Sequence, residues 1–151
     1  MNYLLSLHSI LRWLILLFAL VVIIQSLKGM VSKGKFGSAN KRFALFLLIC
    51  CDLQLLFGLA LYYTKGWFNV LQTGTAMASK TNRFFSVEHS IAMLIAIILV
   101  HTGYSAAKSN IDDDRKFKRL FWYVLIALVL IIAMVPWPWS QVTRPLLPNM
   151  Q

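Results

Sequence analysis

Two histidines occupy matching places in this chain. His8 lies in Ser6-Leu7-His8-Ser9-Ile10, and His89 in Phe84-Phe85-Ser86-Val87-Glu88-His89-Ser90-Ile91. Each stands five residues into a long apolar run, counted from Tyr3 and from Phe84. At about 1.5 Å per residue, both rings fall about 7–8 Å into their helices. A titratable ring in such a segment is costly unless something holds it. Two imidazoles facing each other inside a helical bundle are the donor set of a six-coordinate haem iron. Ser9, Ser90, Ala92 and Gly58 are small or flexible neighbours for a flat ring. Arg83, six residues before His89, would meet a haem propionate by charge-assisted pairing. The alternative is structural: each histidine makes an interhelical hydrogen bond.

Other polar residues interrupt the same runs. Arg12 is one turn after His8 on the same helix face. Asp52 sits in the middle of the second run, which travels in the opposite direction. Their depths of about 13 and 16 Å are close, so an Arg12–Asp52 pair locking the first two helices is expected. A proton- or quinone-linked site beside the histidines is the functional alternative. Gln54 is expected to face another direction. Glu88 should turn away from His89, to pair with Arg83 or to favour the helix start. A zinc site from His8, His89 and Glu88 is therefore disfavoured. His101 lies twelve residues beyond His89 and is expected alone at the headgroups, so no second histidine pair is expected. Trp13 either lines a pocket or faces lipid. Cys50 and Cys51 are adjacent and have no CxxC partner, so they read as small packing residues.

The elements that must position these groups follow from composition. Of 151 residues, 59% are hydrophobic and only 13% charged, with the charges gathered between apolar runs. This is the pattern of a polytopic membrane protein of one domain. The net charge of +10 is then a property of loops and not a nucleic-acid footprint. Backbone groups in lipid must be satisfied internally, so the runs are helices, at about 3–27, 43–63, 84–107 and 118–137. The first run is too long for a signal-peptide core. A proline-rich tail, 138–151, completes a single domain over 1–151. Trp67 and Phe68 read as interfacial anchors, and Trp137 and Trp139 as a membrane belt. The first connection carries Lys28, Lys33, Lys35, Lys41 and Arg42, and the third carries Lys108, Arg115, Lys116, Lys118 and Arg119. The second carries only Lys65, Lys80 and Arg83, and the tail only Arg144. The first and third connections are therefore expected in the cytoplasm, and both termini outside.

A weak repeat relates the halves. His8-Ser9-Ile10 matches His89-Ser90-Ile91, and Lys41-Arg42 matches Lys118-Arg119. As a duplication, it makes two tandem hairpins about an axis along the membrane normal. Chance agreement between leucine-rich helices is the competing explanation.

The pattern His8-Ser-x-x-Arg12-Trp13, Asp52-Leu-Gln54-Leu-Leu-x-Gly58-Leu, Arg83 with Glu88-His89, and Pro136-Trp137-Pro138-Trp139 resembles a family of small bacterial four-helix membrane proteins. Its members, frequent in Bacteroidota, are commonly labelled cytochrome b. The resemblance covers nearly the whole chain. It implies haem b, an inner-membrane location, and His8 and His89 as axial ligands.

The expectation is thus an all-α, integral membrane, up-down four-helix bundle. Its function would be cytochrome-b-like electron transfer through one haem b near the periplasmic face, as a subunit of a respiratory complex. The cofactor-binding set is His8, His89, Arg83 and Arg12. Partners would be the bilayer, a quinone or a periplasmic redox protein, and further copies or other subunits of a membrane complex. The alternative is a haem-free accessory or scaffolding subunit. An electron-transfer or accessory role is expected over a self-contained enzyme, and a small-solute transporter is disfavoured because no helix reads as broken.

Overall fold

The computed structural model of the chain describes residues 2–142. Four long helices dominate: α1 (Asn2–Ser32), α2 (Ser38–Thr64), α5 (His89–Lys108) and α6 (Asp113–Met134). Between α2 and α5 lie two short helices, α3 (Trp67–Gln72) and α4 (Lys80–Arg83), with a 3-10 turn at Thr75–Ala78. A π-helical turn, Phe84–Glu88, joins α4 to α5, so one helical run extends over Lys80–Lys108. All four runs are long and apolar enough to cross a bilayer. The chain is a multi-pass membrane protein of all-α class. The expected tail lies mostly outside the described residues.

The helix ends explain where the observed bounds differ from the expected ones. α1 continues through Lys28 and Gly29 to Ser32. Lys33 then takes a left-handed conformation (φ 49°), and the Gly34 N–H donates to the Gly29 carbonyl at 3.1 Å. That is a Schellman stop with lysine in the place usually given to glycine. α2 begins at Ser38, where the Asn40 side chain accepts from the Gly37 N–H. α6 begins at Asp113 because Asp113 and Asp114 complement the helix N-terminus. They also pair with Lys116 and Lys118. α6 stops at Met134, short of the expected 137, because Pro136 forces Val135 into extended backbone (ψ 131°).

The helices form two antiparallel hairpins, α1–α2 and α5–α6, packed side by side. α1 touches α2 and α6, and α5 touches the same two, so α1 and α5 stand diagonally across the bundle. The core is narrow and made largely of small side chains: Ala19, Val22, Ala44, Leu47, Cys51, Ala96, Val100, Val124 and Ala127. Both cysteines are buried and free, as their reading as packing residues requires. Close approach is possible where a side chain is missing. A Cβ on Gly29 would collide with the Phe117 ring of α6, and one on Gly103 would come within 3.2 Å of Tyr123 Cβ. Without hydrophobic drive between helices in lipid, such contacts carry much of the association.

Candidate functional site: a histidine pair at one end of the bundle

The diagonal arrangement brings the two N-terminal histidines together. The His8 and His89 ring centroids are 6.5 Å apart, inclined at 60°. His8 packs against α2 at Gly58, where only a side chain larger than a methyl would take the ring's space. A Cβ there would lie at ordinary contact distance, 3.4 Å from His8 Cε1.

His89 is held by its other side. Its Nδ1 lies 2.8 Å from the Met134 carbonyl. A carbonyl only accepts, so Nδ1 carries the proton, and the neutral ring presents a bare Nε2. A hydrogen bond of this kind fixes the tautomer and the orientation of an imidazole ring. The carbonyl is available for a reason written in the chain. In a helix Met134 O would accept from residue 138, and Ile132 O from residue 136; both are prolines, without an N–H. The first vacancy is taken by His89, and the second by Trp137 Nε1, at 2.9 Å from Ile132 O.

The π turn delivers His89 to this place. Ser90 Oγ donates to Phe85 O five residues back, Ser86 Oγ donates to Asn82 O, and Tyr62 of α2 donates to Ser86 O at 2.8 Å. Phe84 and Phe85 both lie beside the His89 ring, and Trp67 stacks on Phe85. Turns of this kind recur at functional sites.

Two buried polar atoms in this region have no hydrogen-bond partner among the described residues: His8 Nδ1 and Gln54 Oε1. Buried polar atoms in native proteins are almost always satisfied, so each of these atoms has room for a hydrogen bond that the described side chains do not supply.

Arg12 is buried, with 8% of its surface exposed. Its guanidinium lies over the rings of Trp13 and Trp137, at 5.3 and 5.9 Å from their centroids. Trp13 packs edge-on against Trp137, which stacks on Trp139. These aromatics are therefore more than a belt: two of them house a cation at the histidine end.

The expected Arg12–Asp52 pair is not formed. Asp52 Oδ1 instead accepts from His101 Nε2 at 2.8 Å, so His101 is not alone either. Arg83 Nε donates to Glu88 Oε1 at 2.7 Å, which turns Glu88 away from His89 and occupies the cation expected to meet a propionate. Among the described residues no three His, Cys, Asp or Glu side chains converge as in a metal site built by protein alone.

A haem iron asks less, because the macrocycle supplies four donors and the protein two. Imidazoles on opposite sides of one metal, with bonds of about 2.0–2.1 Å and a ring radius of about 1.1 Å, have centroids about 6.3 Å apart. The observed separation and the bare Nε2 of His89 match that donor set in number and spacing.

Fold and site define a four-helix membrane protein with a half-buried histidine pair between its diagonal helices. No family model, curated protein or solved structure matches the chain.

Proposed function

We propose that the protein is a single-haem, cytochrome-b-like electron-transfer protein, in which His8 and His89 would hold the haem. The observation that carries this reading is the 6.5 Å approach of the two rings, one of them oriented by a main-chain carbonyl. Haem b would supply a one-electron couple. The chain's own part is to hold the donors. Met134 keeps the proton on His89 Nδ1, and Gly58 leaves room beside the His8 ring. Arg12, between Trp13 and Trp137, and Arg83, exchanging from Glu88, are the cations that would balance the propionates.

The loop charges support placing this end of the bundle at the periplasmic face of a bacterial inner membrane, with both termini there. One haem near that face exchanges electrons with a quinone or a periplasmic partner. It does not relay them across the bilayer alone, and a place as a subunit of a respiratory complex is part of this proposal.

A second reading is favoured by one contact. The His89–Met134 bond closes α5 onto α6 whether or not a cofactor is present, as in a haem-free accessory subunit. A pyridine haemochrome assay on the gently purified protein separates the two. About one haem b per chain is expected; a colourless protein from haem-replete cells supports the accessory role.

A further inference from the structure

The Asp52–His101 pair lies away from the histidine site, in the span itself. His101 is twelve residues, about 18 Å, along α5 from His89. Asp52 is nine residues, about 14 Å, past Phe43, where the apolar part of α2 begins. Yet the two side chains are 48% and 45% exposed. An ionisable pair on the outside of a bundle at that depth would face hydrocarbon, where such groups are rarely found.

Its surroundings continue the theme. Thr102 and Ser105 are exposed beside His101, and with Lys108 they carry a polar stripe to the end of α5. Thr102 Oγ1 is spent on its own helix, donating to Ile98 O. Towards the histidine end the same face turns apolar, with Leu56 of α2 and Ile98 of α5 at 62% and 63% exposure. Small and polar residues on an outward face are what interhelical interfaces in membranes use.

The pair is also self-complementary. Asp52 and His101 touch, so they lie at one depth. A two-fold axis along the membrane normal keeps depth and exchanges left with right. It therefore sets α2 of one chain opposite α5 of the other, and Asp52 opposite a second His101. Each carboxylate then meets an imidazole from both sides, and the polar stripe is covered.

We propose that the α2/α5 face centred on Asp52 and His101 packs against a second copy of this chain about such an axis. The proposal depends on the membrane-spanning fold and not on haem.

The test is disulfide trapping in native membranes, with Cys50→Ala and Cys51→Ala as background. One tagged chain carries Leu56→Cys and a differently tagged chain carries Ile98→Cys. These positions stand one turn to the same side of the ion pair. Oxidation should link the two tags, and Leu17→Cys, on an exposed face of α1, should give no linked band. Failure to link folded chains, or equal linking from Leu17→Cys, overturns the proposal. The unsubstituted protein gives an independent check by native mass in nanodiscs: two chains are expected, and one chain, or one chain with a different polypeptide, overturns it. Haem content is read separately from the same samples, so loss of the haem reading leaves this result standing.

Discussion

His89 donates a hydrogen bond from its Nδ1–H to the main-chain carbonyl of Met134 at 2.8 Å, across the α5–α6 interface. That one bond selects the tautomer of a half-buried ring, and it satisfies a carbonyl that Pro138 cannot serve. It ties the end of α6 to the start of α5, and it leaves Nε2 as the nitrogen available for a ligand.

The space for His8 is equally particular. Gly58→Ala adds a methyl at ordinary contact distance from Cε1 and should be nearly silent. Gly58→Leu should push the ring away from His89. The expected result is loss of the low-spin haem spectrum while helix content by circular dichroism is unchanged; retention of the spectrum would show that His8 needs no such space.

Removing one member of the Asp52–His101 pair leaves the other without its partner in the span. Asp52→Leu and His101→Leu should each lower stability by about 1–2 kcal/mol. The double variant should recover part of that loss, since two apolar residues leave nothing unpaired. Thermal unfolding in one detergent, run as a double-mutant cycle, gives the coupling; additive losses would mean the contact carries no energy.

At the opposite end, Gly29 is packed under the Phe117 ring. Gly29→Ala should cost about 1–3 kcal/mol through overpacking. Phe117→Leu should relieve it. Unfolding midpoints of the two single variants and the double decide whether the sites are coupled.

The topology has its own check. Single cysteines at Lys35 and Asn110, in the Cys50→Ala, Cys51→Ala background, should resist an impermeant maleimide in spheroplasts. A cysteine at Thr73 should react. The reverse pattern would move the histidine pair to the cytoplasmic face.

Much of this was legible in the sequence. Apolar runs between charged connections showed four helices. Equal offsets of His8 and His89 from their run starts anticipated that they would meet, because an up-down bundle makes α1 and α5 parallel. The partner of Asp52 was not legible from depth along the helix axis. Side chains lean towards their helix N-terminus, so on antiparallel helices Asp52 and His101 lean towards each other, closing a gap that axial counting leaves open. Azimuth matters as well: α2 touches both α1 and α5, and nothing in the spacing says which neighbour Asp52 faces. The role of Met134 had a signal, the prolines at 136 and 138, which strip two carbonyls of their helical donors. The π turn had none, since it depends on how Tyr62 and Ser86 meet.

The central claim is that His8 and His89 together hold one haem. The most direct measurement is the reduced-minus-oxidised optical spectrum of the purified protein beside those of His8→Ala and His89→Ala. The account predicts a low-spin b-type spectrum in the parent chain and its loss in both variants. A low-spin spectrum that survives in either variant would contradict it.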